Sequence, residues 1–349
     1  MKTNIQHKFS KRTLFLAIML MGITVYSQEE TEGNKKVSIS GSVDAYYKTN
    51  LTSTDEAVFD LGDGPIAQTP LTSFADETGF ALGMANIIAS YEGEKVGAVA
   101  DVVFGPRGDA ATGGYNINQL YAYWNVSEST TLTMGRFNTY LGYEVIAPAA
   151  NFNYSTSYMF SYGPFSHVGL KADFGLSDDF SLMVAFMNIT DTNNNLTGSY
   201  SAGAQLGYKG QYLNFYYDDG TGLGFEIDYT GGFDLTEDFY LGINAAYQDN
   251  DGIGFYGAAL YPQYKATESF SLGLRGEYFQ HLEDGGPVGN IAADESVIAL
   301  TLTGSYSIDN LIIKPELRLD SLSEEGFADS DLEPTKSLAS FLIAAIYSF

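Results

Sequence analysis

The chain contains no cysteine, so it can build neither a disulfide framework nor a thiolate metal or redox site. Histidine is almost as scarce, with three in 349 residues, which leaves little for acid–base or nucleophilic catalysis. Lys and Arg number only 17 against 43 Asp and Glu, and the formal charge of −26 argues against nucleic acid as a partner. Proline is held to 9 residues and Trp to 1. Beyond the N-terminus no apolar run approaches the roughly 20 residues of a spanning helix. A mature chain that enters a membrane therefore does so as strands.

The N-terminus has its own layout. Lys8, Lys11 and Arg12 precede an apolar run from Leu14 to Val25, and Val25-Tyr26-Ser27 follows as a small-residue exit. This is the pattern of a secretory signal peptide, expected over residues 1–27. The apolar run is about half of what a membrane anchor needs. Removing these residues, which hold four basic and no acidic side chains, takes the formal charge from −26 to −30. Residues 28–349 then form one domain.

What is abundant is glycine, Tyr and Phe, at 38, 26 and 23 residues, a composition suited to many strands with glycine at crowded inner positions and aromatics at lipid interfaces. Short polar connections with an acidic residue recur: Ser127-Glu128-Ser129-Thr130-Thr131-Leu132, Ser177-Asp178-Asp179-Phe180, Thr236-Glu237-Asp238-Phe239, Thr267-Glu268-Ser269-Phe270 and Ser307-Ile308-Asp309-Asn310-Leu311. Glu92-Gly93-Glu94-Lys95 and Lys209-Gly210-Gln211 are looser versions. The connections between them are longer and irregular. Short turns at one end and long loops at the other mark an up-and-down barrel in a membrane.

The flanking runs alternate with period two, as strands between lipid and a wet lumen must. In 311–320, Leu311, Ile313, Pro315, Leu317 and Leu319 oppose Ile312, Lys314, Glu316, Arg318 and Asp320. Charges on one such face cannot lie unpaired in a dry core. The same contrast separates Phe225, Ile227 and Tyr229 from Glu226, Asp228 and Thr230, and Leu272, Leu274 and Tyr278 from Ser271, Arg275 and Glu277. Sixteen strands are predicted, at 37–49, 80–92, 95–105, 116–127, 131–140, 165–175, 180–189, 200–209, 211–219, 223–233, 239–249, 253–265, 270–281, 294–306, 311–321 and 336–349, with seven short turns and eight longer connections. The expected fold is all-β, a transmembrane antiparallel up-and-down β-barrel of about 16 strands, wide enough for an aqueous channel. The even count places both termini on the short-turn side.

Three segments carry a resemblance. Leu132-Thr133-Met134-Gly135-Arg136-Phe137-Asn138-Thr139-Tyr140-Leu141-Gly142-Tyr143-Glu144, Tyr162-Gly163-Pro164-Phe165-Ser166-His167-Val168-Gly169 and the terminal Tyr347-Ser348-Phe349 resemble the OmpL-like beta-barrel porins of Gram-negative outer membranes. The resemblance spans the mature chain, and 135–144 is its distinctive part. It implies an outer-membrane diffusion channel for small hydrophilic solutes or ions, with outer-membrane lipids as surroundings, no cofactor, and homo-oligomerisation open. It also implies that Phe349 is the signal read by the barrel-assembly machinery. It further implies that the third long loop, Leu141 to Pro164, folds inward as a constriction containing Glu144, Phe152, Tyr154, Tyr158, Phe160 and Tyr162. Those rings either line the narrowing, favouring solutes with apolar faces such as sugars, or pack the loop against the wall.

Parity assigns the lumen-facing charges: Asp44, Asp101, Asp173, Glu226, Asp228, Glu277, Glu316 and Asp320 against Lys48, Lys171, Arg275, Lys314 and Arg318. The acidic excess tilts such a pore toward cations, with Glu226 and Asp228 as the clearest unpaired contributors. Wall pairs such as Arg275 with Glu277 and Lys314 with Glu316 would neutralise it instead. Acid-rich loops at 55–76, 283–295 and 324–333 add field at the mouth, without the spacing of a calcium loop. Arg136 shares parity with Leu132 and Met134, which points it toward lipid unless a bulge at Gly135 turns it inward or it reaches water near the rim. Two other classes remain: an adhesive or structural barrel with a plugged lumen, and a barrel-wall lipid hydrolase, for which the mature chain offers only His167 and His281. Some 320 mature residues leave no plug beside a 22-strand transporter barrel.

Overall fold

The computed structural model describes residues 37–56 and 67–349; the expected signal peptide and part of the first long loop lie outside the described residues. Fifteen strands follow one another as antiparallel neighbours. They are β1 (Val37–Asn50), β2 (Gly79–Glu92), β3 (Val96–Phe104), β4 (Ile117–Ser127), β5 (Thr130–Asn138), β6 (Ser166–Gly175), β7 (Phe180–Asn188), β8 (Tyr200–Tyr208), β9 (Gln211–Tyr217), β10 (Phe225–Asp234), β11 (Phe239–Asn250), β12 (Ile253–Lys265), β13 (Phe270–His281), β14 (Ser296–Ile308) and β15 (Leu311–Leu322). A small hairpin, β16 (Phe327–Ala328) with β17 (Pro334–Thr335), decorates the last long loop. The final strand, β18 (Ser337–Ser348), pairs with both β15 and β1 and closes a 16-strand barrel. Among the described residues two short helices lie in loops, α1 (Pro106–Thr112) and α2 (Tyr158–Tyr162).

The recurring turn sequence has a local cause. In Ser177-Asp178-Asp179-Phe180 the serine Oγ accepts from the backbone N–H of Asp179 at 3.3 Å and of Phe180 at 3.1 Å, closing the turn on itself. Thr267 accepts from Ser269 and Phe270 in the same way, and Thr236 from Asp238. The hydroxyl thus satisfies donors that a two- to four-residue turn would leave unmatched. One expected long connection is instead a two-residue turn. Asp251 and Gly252 join β11 to β12 with φ of +55° and +89°, the doubly left-handed geometry that suits a right-twisted hairpin and favours an Asp-Gly pair.

Alternation sorts the side chains as expected. Outward residues such as Leu272, Leu274, Leu300, Leu302, Leu317 and Leu319 stay exposed, a continuous apolar surface that a soluble domain would not carry. Aromatics gather at both strand ends. Phe180, Tyr208, Phe233, Tyr264, Phe270 and Tyr306 lie on the short-turn side and Phe80, Phe186, Tyr200, Tyr217 and Tyr247 on the other, forming the two interfacial girdles of a membrane barrel. Ring pairs such as Phe180 with Tyr208 at 4.5 Å join neighbouring strands within a girdle. The ladder between β1 and β18 ends with reciprocal bonds between Gly41 and Phe349, each N–H donating to the other's carbonyl at 3.0 Å. The terminal residue is therefore part of the closing seam.

Candidate pore and its constriction

The connection between β5 and β6, residues 139–165, folds into the barrel and is fastened there by wall charges. Arg275 of β13 is fully buried and donates from Nη1 to Glu144 Oε1 and to the Ser155 carbonyl, each at 2.7 Å, and from Nη2 to the Thr156 carbonyl at 3.2 Å. Two residues along, Glu277 accepts from the N–H groups of Tyr158 and Met159 at 2.9 and 2.8 Å, opposite the start of α2. On β15, Glu316 accepts from Tyr154 N–H at 2.9 Å and from the Ser155 N–H and hydroxyl, while Lys314 donates to the carbonyls of Pro148 and Asn151. Arg318 pairs with Asp320 at 2.9 Å and donates to the Thr156 carbonyl at 2.9 Å. Tyr154 donates its hydroxyl to Asp44 of β1. Burial beside that carboxylate pushes the phenol far above its ordinary range, so Tyr154 remains a donor.

The neutralising wall pairs, the alternative to an acidic lumen, do not form as pairs. Arg275 pairs with Glu144 of the loop rather than with Glu277, and Lys314 bonds loop carbonyls rather than Glu316. The physical reason is that a loop of irregular backbone inside the barrel carries many unmatched donors and acceptors, and side chains on the wall are what satisfy them. The aromatic rings follow the same logic. Tyr154 and Tyr158 have no exposed surface, and Tyr143 stacks on Tyr261 of β12 at 4.2 Å, so they pack the loop against the wall and do not line a passage.

Two further expectations change. Asp228 is not unpaired: it accepts from the side-chain amides of Asn214 and Asn244 and from Gly142 N–H at 3.0 Å. Glu226 is inward as expected but only 3 % exposed, and its Oε2 has no hydrogen-bond partner. Arg136 does not join the constriction. The ladders on both sides pass through Gly135 without a register shift, so no bulge redirects it. Its guanidinium instead donates to the Asn118 carbonyl at 3.2 Å and to Asn193 Oδ1 of the next long loop at 2.9 Å, and is buried there.

Arg107, in α1, is the residue that sequence reasoning missed. It donates to the Ile146 and Tyr154 carbonyls at 2.9 and 3.4 Å and lies over the Phe74 ring at 4.4 Å, so the connection between β3 and β4 also holds the inward loop. A lone Arg in a loop gives no local signal for that role.

Fastening the loop to one side divides the interior. From β12 round through β15 and β18 to β1 the inward residues are almost all buried, including Tyr261, Thr301, Thr303, Leu342 and Lys48. Across the barrel, Gln119, Tyr121, Tyr123, Lys171, Asp173 and Gln205 remain only half-buried. The open wall is polar, rich in tyrosine, and carries one ion pair.

Comparison with known proteins agrees with this architecture. The family described as "Putative beta-barrel porin-2, OmpL-like" matches residues 36–349. A comparison with curated protein sequences finds no match. Among solved structures, the outer membrane channel DcaP of Acinetobacter baumannii is similar at a TM-score of 0.58 and 14 % identity, over 93 % of this chain and 100 % of that one. The anion-selective porin from Comamonas acidovorans gives 0.59 and 11 %, over 90 % and 100 %. The trimer form of OmpT from Vibrio cholerae gives 0.52 and 12 %, over 91 % and 100 %. At these identities the structures speak to the fold.

Proposed function

The chain belongs to the OmpL-like beta-barrel porins of the bacterial outer membrane, and on that premise we propose that it is a non-enzymatic channel for passive diffusion of small hydrophilic solutes and ions, with a modest preference for cations. The observation that carries this reading is the division of the interior: a loop fastened to one wall and a polar, water-accessible wall facing it. The cation preference is attributed to the acidic outer loops, since Glu226 and Asp228 are buried. Self-association into a homo-oligomer belongs to the same proposal, and mass measurement in detergent reads it. Catalysis is not expected. His167 bonds Thr139 Oγ1 at 2.9 Å but has no exposed surface, and His281 is occupied by the backbone of Val288 and Ala292.

Planar-bilayer recording of the mature protein tests the reading. Discrete conductance steps with a reversal potential of cation sign in a salt gradient are expected. A protein that inserts, shows heat-modifiable electrophoretic mobility and conducts nothing would instead be a plugged structural barrel.

A further inference from the structure

On the open wall, Tyr121 and Tyr123 of β4 and Lys171 and Asp173 of β6 project into the lumen with one strand between them. With strands about 4.8 Å apart, the two pairs stand roughly 10 Å from each other. The floor between them is small where Thr133 is in register with both Tyr123 and Lys171 and Gly135 with Tyr121. Phe137, the next inward residue of β5, closes one end: its ring belongs to the cluster that Tyr121 packs against and lies 5.6 Å from Lys171 Nζ. The four side chains therefore bound a trough, aromatic on one bank and ionic on the other. The backbone beneath sets the aromatic bank. Gly97 is the ladder partner of Tyr123, and a Cβ there would lie 2.2 Å from the ring carbon Cζ, so the phenol end of the ring rests on the bare glycine backbone. Tyr123 is thus held against the wall at its phenol end and stays only half-buried.

The ionic bank is equally distinctive. Lys171 and Asp173 pair at 2.9 Å with side chains 18 % and 21 % exposed. Among the described residues it is the inward ion pair within a strand that makes no bond to the loop in the lumen; its counterpart, Arg318 with Asp320, is sealed beneath Thr156. Together the pair offers a donor and an acceptor and no net charge.

We propose that this trough is a saccharide subsite in the pore, taking neutral, ring-shaped, polyhydroxylated solutes. The proposal rests on the channel reading and names its solute class. A pyranose has an apolar C–H face, which stacks on the electron-rich face of a tyrosine ring. Its hydroxyls both donate and accept, and so can satisfy Asp173 and Lys171 at once through charge-assisted bonds. A charged solute meets a site with no net charge to attract it. A purely aromatic solute would use the rings but desolvate the ion pair without replacing its bonds, which is costly. Water exposure on both banks keeps the binding weak, as passage requires, since a solute must also leave.

The test uses the mature barrel in planar bilayers at about 1 M salt, where screening over about 3 Å suppresses surface-charge effects. Maltotriose is the probe and a polyethylene glycol of matched size is the control for simple exclusion. Maltotriose should reduce the current saturably. In a Tyr121→Ala/Tyr123→Ala variant the half-blocking concentration should rise roughly tenfold, and Asp173→Asn should raise it in the same direction. Tyr123→Phe keeps the ring and should stay within about twofold of the wild type. Polyethylene glycol should act alike on all four proteins, whose folding is checked by heat-modifiable mobility. Equal effects of maltotriose and polyethylene glycol, or a half-blocking concentration unmoved by the double variant, would overturn the proposal. Saturation-transfer NMR of maltotriose on the detergent-solubilised barrel separates the two readings: transfer that the double variant abolishes supports the subsite even in a non-conducting protein, and absent transfer overturns it even in a conducting one.

Discussion

At the scale of single residues, Arg275 shows how this barrel uses buried charge. It is desolvated completely, which costs several kcal/mol for an isolated ion, and its cost is offset by Glu144 and two loop carbonyls. Arg275→Met keeps much of the stem but leaves Glu144 buried with only the N–H and hydroxyl of Ser157 as partners. The expected outcome is a loss of about 3 kcal/mol in denaturant unfolding, together with noisier and larger single-channel currents as the loop detaches. Glu144→Gln in the same background should recover part of the stability, and equal losses in the single and double variants would show that the pair is not coupled. Parity placed Arg275 and Glu277 in the lumen correctly, because side-chain direction along a strand is a local property. Their partners lie 131 and 119 residues away on an irregular loop, and no local pattern encodes that distance.

At the scale of elements, nearly everything regular was legible. Strand positions followed from period-two alternation, which a lipid face and a wet face enforce on each strand independently of its neighbours, and all sixteen barrel strands lie where that pattern puts them, with ends shifted by a few residues. The hydroxyl-capped turns were legible for the same reason, since Ser177 and Thr267 act only on their own neighbours. The β16–β17 hairpin, α1 and α2 were not, because they are held by contacts with other loops and the wall. The last strand poses a question that its pairing sharpens. Phe349 is expected to be read by the assembly machinery, yet its backbone also completes the β1–β18 seam with Gly41. Deleting Phe349 removes ring and bonds together, whereas Phe349→Ala removes only the ring. If the ring is the signal, both variants should lower the outer-membrane level equally while secretion across the inner membrane continues. If the deletion alone lowers it, the seam is what matters.

At the scale of the whole molecule, charge is distributed by region. The inward carboxylates Asp228, Glu277, Glu316 and Asp320 are buried against hydrogen-bond donors and Glu226 is buried without one on Oε2, while the outer loops hold exposed acids such as Glu283, Glu324, Glu325, Asp331 and Glu333, with Lys336 as a basic neighbour. Carboxylates around an aqueous mouth raise the local cation concentration over about 10 Å at 0.1 M salt and about 3 Å at 1 M. Cation selectivity should therefore be measurable at the lower salt and fade at the higher. Replacing Glu226 and Asp228 by Gln and Asn should leave the low-salt reversal potential where it was, because Glu226 is 3 % and Asp228 1 % exposed and Asp228 already accepts three bonds. Replacing Glu324, Glu325 and Glu333 by Gln should move it toward zero. The opposite pattern would place the selective section beneath the inward loop rather than at the mouth. An anion-selective wild-type pore would reject the acidic mouth altogether and assign the narrowest section to bases such as Lys171.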